Sequence, residues 1–463
     1  MARALAWLLA VVSAAACSGH AGTRVGAPNI ILITIDTLRA DHLGMYGYTR
    51  RTSPNLDAFA REAIVVSDGV SQAPYTKASI ASLLTGLLPS THKTWSSSVP
   101  LPQIMKGTTG DHPVPVTDVL PTNLPLLPEV LRDAGYETLA FTTNPFLIPD
   151  FGFARGFDHF RFFDGPAFAS AEAVLPEALA AATGRHARPF FLWVHLMEPH
   201  SPYAPPQGAR AMFPPQRPAR MIPDGVNIPP WLIQQPSRDL RLFEALYDAE
   251  IRTVDTAIGR FFTGLRHAGL WDETAIVVTS DHGEEFLDHG GLEHNRTVYD
   301  EMIHVPLLLR VPGVKPGRLE AQVELMDLFP TLVAIAGGRV PDDLFGSNML
   351  PLLQAGQGED RFAVTELVGS AIALRTPEWK LIETTAGRRE LYHLTADPHE
   401  RRDVSGNERE RVERLSSVLH GIQGRAETLA KSVTRQATTV RPSVFDRLRA
   451  LGYIGSSGSI SDR

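Results

Sequence analysis

Cysteine is almost absent from this sequence: Cys17 is the one cysteine among 463 residues. A lone cysteine excludes internal disulfide bonds and any zinc site built from several thiolates. A large excess of charged residues of one sign is absent too. The formal net charge is −7, from 44 Lys and Arg against 51 Asp and Glu, and this balance gives no indication of nucleic-acid binding. No internal repeat is evident, so a solenoid is not expected.

Long hydrophobic runs are missing except for a short one at the beginning of the chain. MARALAWLLAVVSAAAC has one early charge, then an apolar stretch and small residues before Cys17, which is typical of a secretory signal. The run is short for a membrane-spanning helix. The alanines before Cys17 resemble a bacterial lipoprotein signal, in which the cysteine becomes the lipidated N-terminus. We therefore expect a lipoprotein-type signal peptide over 1–17 and a tether over 18–27, with an ordinary cleaved signal or a short membrane anchor as alternatives.

The expected location follows from this N-terminal segment. A lipid on Cys17 would anchor the protein in the cell envelope of a bacterium, on its periplasmic side. Ser18, rather than an acidic residue, follows Cys17, and this favours the outer membrane if the cell has one.

The rest of the sequence alternates between apolar runs and helical patterns. NIILITI ends at a polar residue, and TLAFTTN, PFFLWVHLMEPH, TAIVVTSDHG and VPLLLRVPG repeat this pattern. Continuous apolar runs are typical of parallel strands that are buried on both faces. NLDAFAREAI and ALYDAEIRTVDTAIGRFFTGL have helical periodicity. The alternation predicts an α/β sandwich with a mainly parallel sheet, and such sheets bind ligands beyond the carboxyl ends of their strands.

The character of the chain changes near residue 350. ALRTPEWKLIETTAGRRELYHL predicts antiparallel strands, and NERERVERLSSVLHGIQGRAETLAKS predicts a polar-faced helix. We therefore expect a main domain over 28–350 and a smaller C-terminal α+β subdomain over 351–463. The segments 96–126 and 201–230 are rich in proline and in small polar residues, and we expect both to be long loops that frame a pocket.

Polar residues at the predicted strand ends form a candidate site. They are Asp36, Asp281, His282, His195, His200, His289 and His294, with Thr76 at the beginning of the helix in SQAPYTKASIASLLTG. Carboxylates and neutral imidazoles suit a divalent cation such as Zn²⁺ or Mn²⁺. A threonine oxygen on that cation loses its proton more easily and becomes a nucleophile, while the helix N-terminus favours a phosphate or sulfate group. The alternative is that Thr76 merely caps the helix.

These segments resemble the sulfatase family of the alkaline phosphatase superfamily. NIILITIDTLRADHLGMYGY is similar to the family's first strand and metal-binding turn, and TSPNLDAFAREAIVVSDGVSQAPYTKASIASLLTGLLPSTH to its nucleophile region. VTSDHGEEFLDHGGLEHNRTVYDEMIHVPLLLRVPG resembles its second metal segment, while VELMDLFPTLVAIAGG and WKLIETTAGRRELYHLTADPHERRDV resemble its closing segments. The resemblance extends over most of the chain. It implies an alkaline-phosphatase-like sandwich, with 28–350 as the catalytic domain, and an ester hydrolase.

The sequence departs from this family at the nucleophile. Sulfatases carry Cys or Ser in a C/S-x-P/A-x-R motif that matures to formylglycine, whereas Thr76 stands at that position and Ile80 replaces the arginine. The β-methyl group of threonine prevents formation of the aldehyde. Threonine there resembles the phosphoethanolamine transferases, lipoteichoic acid synthases and nucleotide phosphodiesterases of the superfamily, in which it attacks phosphorus directly. The resemblance therefore implies phosphate mono- or diesters rather than sulfate esters as substrates.

Three other activities stay open at this point. They are a sulfuric ester hydrolase that works without formylglycine, a phosphoryl-group transferase, and a catalytically silent binding lipoprotein. Superfamily transferases usually carry several membrane helices before the catalytic domain, and none is evident in this sequence, so hydrolysis is favoured over transfer.

The resemblance also assigns roles residue by residue. Asp36, Thr76, Asp281 and His282 would bind the divalent ion, zinc first and manganese or calcium as alternatives. Thr76, His200 and His294 would be catalytic. His195, His289, Lys77 and Asn144 would contact the ester substrate, and Asp41 and His304 are expected to be structural. The expected partners are a phosphate or sulfate ester and, through a lipid on Cys17, a membrane, but no nucleic acid; the oligomeric state stays open.

Overall fold

The computed structural model describes residues 26–95, 116–164, 169–224, 226–228, 232, 237–356 and 361–450. The predicted signal peptide with Cys17, most of the tether, and parts of both predicted loops lie outside these residues. No helix in the described ranges combines the length and the apolar character needed to cross a bilayer.

An eight-stranded sheet lies at the centre of the molecule. With the strands numbered along the chain, its order is β11 (Gly317–Glu324), β2 (Ile64–Val70), β10 (His304–Arg310), β7 (Thr274–Ser280), β1 (Asn29–Ile35), β6 (Phe190–Leu196), β4 (Glu137–Thr142) and β5 (His159–Phe162). The strands from β7 to β5 are parallel to one another, whereas β10 is antiparallel to both of its neighbours. The predicted α/β fold with a mainly parallel sheet is confirmed.

Helices cover both faces of this sheet. On one face lie α2 (Thr76–Thr85), α4 (Leu127–Asp133) and α9 (Leu328–Ile335), and on the other lie α1 (Pro54–Ala60), α5 (Ala171–Ala182) and α7 (Leu240–His267). The predicted apolar face of α7, made by Ile251, Val254, Ile258 and Phe261, is at most 2% exposed. Each such side chain contributes about 1.5–3 kcal/mol when it is fully buried. Burial on both faces explains why the strand sequences are continuously apolar.

Shorter helices in the described ranges occupy connections between these elements. They are α3 (Pro89–His92), α6 (Gln207–Met212), α8 (Asp300–Ile303) and α10 (Leu350–Ala355). The helical interpretation of NLDAFAREAI was too long, because α1 ends at Ala60 and β2 begins at Ile64. The β-branched side chains that follow pair instead with β10 and β11, where such side chains pack well.

The C-terminal part forms a second, antiparallel sheet, as expected. Its strands are β12 (Ala363–Leu367), β13 (Ala371–Arg375), β14 (Trp379–Thr384) and β15 (Arg389–His393), and α11 (Arg409–Ala430) packs on it. The chain then returns to the main domain. There β16 (Gln436–Thr439) pairs with β3 (Val116–Val119), and α12 (Pro442–Ala450) adds to the core on the α2 side. The boundary near residue 350 stays a prediction.

A two-stranded pair, β8 (Glu285–Phe286) and β9 (Leu292–Glu293), follows β7.

Candidate active site

Four neighbouring parallel strands deliver polar side chains to one edge of the central sheet. These residues are Asp36 after β1, Asp281 and His282 after β7, His195 near the end of β6, and Asn144 after β4. The strand register places Thr34 beside His195 and Ile35 beside Ser280. The polar residues that follow these strands therefore lie side by side at the same edge of the sheet, as expected for the carboxyl edge of a parallel sheet.

Thr76 faces this edge and does not cap its helix. It is the first residue of α2; Tyr75 occupies the N-cap position, and no side-chain hydrogen bond caps the helix. Thr76 Oγ1 lies 3.2 Å from His282 Nε2, 3.4 Å from Asn144 Nδ2 and 3.5 Å from Asp36 Oδ1. The capping alternative is wrong for Thr76, because its hydroxyl is directed at the polar strand ends.

Two buried carboxylates share the centre of the cluster. Asp36 Oδ2 accepts a hydrogen bond from Asn144 Nδ2 at 2.7 Å and lies 3.3 Å from His195 Nε2. Burial alone would raise the pKa of Asp36, but the hydrogen bond from His195 and the surrounding histidines hold that pKa well below its usual value. Burial, and then the charge of Asp36, raise the pKa of Asp281 well above its usual value.

The two oxygens of Asp281 differ in their hydrogen bonding. Asp281 Oδ1 accepts from the backbone N–H groups of His282, at 2.9 Å, and Thr37, at 3.3 Å. Oδ2 is buried and has no hydrogen-bond partner among the described residues, although His282 Nε2 lies 3.6 Å away. A buried carboxylate oxygen without a partner is costly unless a cation or a donor completes its surroundings.

The orientation of His282 supports a cation at this position. Its Nδ1 lies 2.9 Å from the carbonyl oxygen of Gly283, which accepts a hydrogen bond from that nitrogen and leaves the lone pair of Nε2 facing the carboxylates. Burial, and next the neighbouring His294, lower the pKa of His282 well below its usual value. The neutral imidazole that results is the form that binds metals.

The donor set as a whole fits a divalent metal ion. Donor atoms of Asp36, His195 and Asp281 all lie within 4.8 Å of one another, and Thr76 Oγ1 and His282 Nε2 join them at the distances given above. Carboxylate, imidazole and hydroxyl donors suit zinc or manganese. The structure thus brings the four predicted metal ligands together and places His195, which was predicted to contact the substrate, beside them; its substrate contact stays a prediction.

The two predicted catalytic histidines also belong to this cluster. The ring of His294 lies 4.6 Å from that of His282 and 5.0 Å from that of His200, measured between centroids. His294 Nδ1 is 3.1 Å from Glu284 Oε1, and His200 Nδ1 is 2.5 Å from the Ser201 carbonyl oxygen. Both rings are therefore oriented through Nδ1.

Lys77 and His289, both predicted substrate contacts, have other partners. Lys77 is 3% exposed, its Nζ donates to Thr117 Oγ1 at 2.5 Å, and burial lowers the pKa of Lys77 to about 7. His289 Nδ1 lies 2.7 Å from Glu301 Oε1 and its Nε2 lies 3.0 Å from the Glu400 carbonyl oxygen. Burial lowers the pKa of His289, but the Glu301 hydrogen bond outweighs it and raises that pKa to about 9. Substrate contact stays a prediction for both residues, and the contacts of His289 do not favour it.

Sequence reasoning missed several residues that orient the cluster. Glu284 is fully buried between His294 and Tyr203, whose hydroxyl donates to Glu284 Oε2 at 3.2 Å, and burial raises the pKa of Glu284 to about 8. Its position two residues after His282 was the available signal. Thr34 Oγ1 lies 2.8 Å from His195 Nδ1, and no local pattern marked it.

The two residues expected to be structural have ordinary partners. Asp41 accepts two hydrogen bonds from Arg39, at 2.9 and 2.8 Å. His304 Nε2 lies 2.9 Å from the backbone oxygen of Ser67.

Comparison with known families adds to this geometry. The sulfatase family profile matches residues 28–338, and the profile named N-sulphoglucosamine sulphohydrolase, C-terminal, matches residues 288–423. Delta 4,5-hexuronate-2-O-sulfatase of Bacteroides thetaiotaomicron is 24% identical over 436 residues, which cover 84% of this chain and 87% of that protein. Arylsulfatase K of Xenopus laevis is 28% identical over 287 residues, which cover 52% of this chain and 53% of that protein. The chain thus matches only about half the length of the arylsulfatase.

Solved structures share the fold at low sequence identity. The phosphonate monoester hydrolase SpPMH from Silicibacter pomeroyi has a TM-score of 0.72 at 24% identity, covering 86% of this chain and 96% of that one. BT4656 in complex with its substrate D-glucosamine-2-N,6-O-disulfate has a TM-score of 0.72 at 20% identity, covering 87% and 98%. The alkaline-phosphatase-like fold predicted from the motifs is therefore confirmed.

Proposed function

This chain belongs to the sulfatase family, and from that premise we propose that it is a metal-dependent ester hydrolase of the cell envelope in which Thr76 is the nucleophile. Sulfatase-family enzymes are ester hydrolases and are typically metal-dependent. The observation that carries the nucleophile assignment is the position of Thr76 Oγ1, which lies 3.2 Å from His282 Nε2 at the polar edge of the sheet instead of capping α2.

The proposed metal site consists of Asp36, Asp281 and His282, with Thr76 Oγ1 and His195 beside them. A divalent ion bound there, zinc first, would act as a Lewis acid that lowers the pKa of the Thr76 hydroxyl and draws charge from the ester. The buried Oδ2 of Asp281, which lacks a hydrogen-bond partner among the described residues, supports this assignment. Asn144 bonds Asp36 at 2.7 Å and keeps that carboxylate directed at the threonine.

In the first step, the Thr76 hydroxyl loses its proton to water and its oxygen attacks the phosphorus of the ester. The new Thr76 Oγ–P bond forms while the bond to the leaving oxygen breaks. That oxygen takes a proton from His200 or His294, whose rings both border the cluster. The first N–H groups of α2 have no intrahelical acceptor and favour the anionic group.

In the second step, water breaks the phospho-threonine. The attacking water gives its proton to the histidine that protonated the leaving group, and the P–Oγ bond breaks. Thr76 Oγ, the leaving oxygen of this step, takes a proton from water, which restores the hydroxyl that lost its proton in the first step. Glu284 Oε1 lies 3.1 Å from His294 Nδ1, so it orients that ring in both steps. The products are inorganic phosphate, or a phosphomonoester when the substrate is a diester, and an alcohol.

We favour phosphate mono- and diesters over sulfate esters. Thr76 cannot mature to formylglycine, and Ile80 replaces the arginine of the maturation motif. The phosphonate monoester hydrolase of Silicibacter pomeroyi shares the fold, which fits phosphorus chemistry on this scaffold. The Bacteroides hexuronate-2-O-sulfatase favours the second candidate, a sulfuric ester hydrolase without formylglycine, with a sugar ring as the carrier of the ester.

A substrate panel with Thr76 variants tests this proposal. Aryl phosphate, phosphodiester, phosphonate and sulfate esters are assayed with the wild type, Thr76→Ser and Thr76→Ala. We expect phosphorus esters to be cleaved fastest, Thr76→Ser to retain part of the activity, and Thr76→Ala to lose about 10³-fold or more in kcat. Thr85→Ala is the matched control, because Thr85 lies on the same helix and only bonds Ala81 O at 2.7 Å. Wild-type rates in Thr76→Ala would disprove the nucleophile assignment.

The cell-envelope location rests on Cys17 and is a separate proposal. The wild type should partition with membranes, and Cys17→Ser should be released or misprocessed. The first described residues, near Gly26, enter β1 at the end opposite Asp36. A lipid anchor would therefore reach the domain from the side away from Thr76. Equal soluble secretion of the wild type and the variant would contradict this proposal.

A further inference from the structure

Arg39 joins the two chain segments that carry the candidate metal ligands. The first segment is the turn 36–41 after β1, and the second is 281–288 after β7. From the first segment, Arg39 Nη1 donates to the backbone oxygen of Glu284 at 2.9 Å and to Asp288 Oδ2 at 2.9 Å. Nη2 adds a bond to Asp288 Oδ1 at 3.3 Å. The guanidinium is thus a bridge across a sequence separation of 249 residues.

The guanidinium of Arg39 also forms hydrogen bonds within its own segment, 36–41. Arg39 Nε and Nη2 donate to the two oxygens of Asp41 at 2.9 and 2.8 Å. This two-bond contact fixes the plane of the guanidinium. The side chain is 7% exposed. The buried guanidinium group therefore binds one carboxylate on each segment, Asp41 and Asp288, as well as the backbone oxygen of Glu284.

The aliphatic part of the Arg39 side chain is also closely packed. A Cβ atom at Gly283 would lie 3.3 Å from Arg39 Cγ and would collide with the backbone oxygen of Glu301. The peptide that follows His282 is therefore held between the arginine stem and the backbone of α8. This contact accounts for a glycine directly after the candidate ligand.

The two segments need such a bridge because their ligands repel each other. Asp36 and Asp281 are both fully buried carboxylates, and like charges separate unless a cation or a rigid frame holds them together. The backbone of the first segment is already bonded to the second segment and to the end of β7: Thr37 N donates to Asp281 Oδ1 at 3.3 Å, and Leu38 N to Ser280 Oγ at 2.9 Å. Arg39 adds the side-chain bridge.

We propose that Arg39 is a positioning residue that holds the segments 36–41 and 281–288 in register, so that Asp36 and Asp281 can share one cation. The proposal rests on the metal site of the proposed function. It deepens that function, because it assigns the metal affinity partly to a residue that does not touch the metal. Residues that orient ligands in this way change metal affinity by about 10- to 100-fold when they are replaced.

Metal affinity is the readout that a purely structural arginine would not move. The zinc dissociation constant is measured by competition with a chromophoric chelator, and the geometry of the site by the visible spectrum of the cobalt-substituted protein. For Arg39→Met we expect a dissociation constant raised about 10- to 100-fold and an altered cobalt spectrum. Arg39→Lys keeps the positive charge but lacks the planar guanidinium group that forms two parallel hydrogen bonds. Its zinc dissociation constant should therefore lie between those of Arg39→Met and the wild type.

Arg375 supplies the matched control. Its side chain is 5% exposed and forms ion pairs with Asp68 and Asp300, so Arg375→Met also removes a buried, paired arginine. That variant should lose stability but retain the zinc affinity and the cobalt spectrum of the wild type.

A second pair of variants covers the case in which Arg39→Met does not fold. Asp288 and Asp41 are 28% and 50% exposed, so water can hydrate either position after a change to asparagine. Asp288→Asn weakens the bridge between the segments, whereas Asp41→Asn weakens a bond within one segment. We expect Asp288→Asn to raise the zinc dissociation constant more than Asp41→Asn.

Two results would overturn the proposal, and they are distinguishable. If the wild type binds zinc and Arg39→Met binds it within twofold with the same cobalt spectrum, Arg39 has only a structural role and the metal site stands. The same conclusion follows if Asp288→Asn and Asp41→Asn bind zinc equally well. If the wild type itself binds neither zinc nor cobalt, the proposed function fails, and the role of Arg39 fails with it.

Discussion

Two groups of largely buried carboxylates differ in how their charge is balanced. Asp36 and Asp281 follow strands of the main sheet, whereas Asp300 lies in α8 and Glu400 follows β15. Asp300 and Glu400 share Lys380, which is fully buried and lies 2.9 Å from each, and Arg375 pairs with Asp300 as well. Asp36 and Asp281 have no Lys or Arg ion pair in the part of the chain that the structure describes. Among the described residues, His195 and His282 are the bases paired with them.

Each group has one carboxyl with a lowered pKa, Asp36 or Asp300, and one with a raised pKa, Asp281 or Glu400, so the two groups differ in the causes of the shifts. Burial alone would raise the pKa of Asp300, but Arg375 and Lys380 outweigh burial and hold that pKa well below its usual value. Burial and the charge of Asp36 raise the pKa of Asp281 well above its usual value. The lesson is that acids neutralised by fixed cations support the fold. Acidic side chains that have no fixed cation beside them are positioned to bind a ligand, which in the proposed function is the metal ion.

The largest expected effect comes from removing the charge of Asp281. Asp281→Asn should abolish stoichiometric zinc binding and lower kcat by about 10³-fold, equivalent to about 4 kcal/mol. The metal-free variant should unfold at the same temperature as the metal-free wild type or higher, because one of two repelling charges is gone. Thermal unfolding with and without zinc is the check, and at 100 times the dissociation constant the wild type should gain about 2.7 kcal/mol. A metal-free variant that is much less stable than the wild type would contradict the comparison.

The complementary change removes Lys380 from the balanced group. Lys380→Met leaves Asp300 and Glu400 without their shared partner and should cost about 3–5 kcal/mol of stability. Zinc stoichiometry should not change. Urea unfolding and metal analysis are the measurements. Lys431→Met, at an exposed position, controls for the loss of a lysine charge and should leave stability within about 0.5 kcal/mol. A loss of zinc in Lys380→Met would show that the two groups are not independent.

The smallest expected effect is a pH dependence at His289, whose ring is paired with Glu301 at 2.7 Å. The pKa of His289 is raised to about 9 in the folded protein, above the usual value of about 6.5. The stabilisation is therefore complete below about pH 6.5 and is lost as pH rises through about 9. His289→Gln should be less stable than the wild type by about 1–2 kcal/mol at pH 6, and the difference should vanish by about pH 10. A difference that does not change with pH would contradict the ion pair.

The parts of the site that could be predicted lie where chain topology alone fixes a residue. Asp36 and the pair Asp281 and His282 follow apolar runs, and parallel strands bring such ends to one edge of a sheet. Thr76 could be placed by its position at the beginning of a helix. These features depend on local pattern and on the sheet.

The parts that could not be predicted depend on contacts distant in sequence. Arg39 pairs with Asp288, 249 residues away, and His289 with Glu400, 111 residues away. The return of β16 to pair with β3 is equally distant. No local pattern specifies which distant acid an arginine or a histidine meets. For the same reason His289 was assigned to the substrate on motif position, although its ring bonds Glu301 in the main domain and the backbone of Glu400 in the C-terminal subdomain.

The central claim is a covalent bond between Thr76 and phosphorus, and the stereochemistry at phosphorus tests it most directly. Hydrolysis of an isotopically chiral thiophosphate monoester by the wild-type enzyme in isotopically labelled water is followed by phosphorus NMR of the inorganic thiophosphate, whose four different substituents preserve the configuration. Each in-line displacement inverts the configuration, so attack by Thr76 followed by attack by water predicts net retention, even when the intermediate is too short-lived to isolate. Net inversion would mean that water attacks the ester directly, and it would contradict the account.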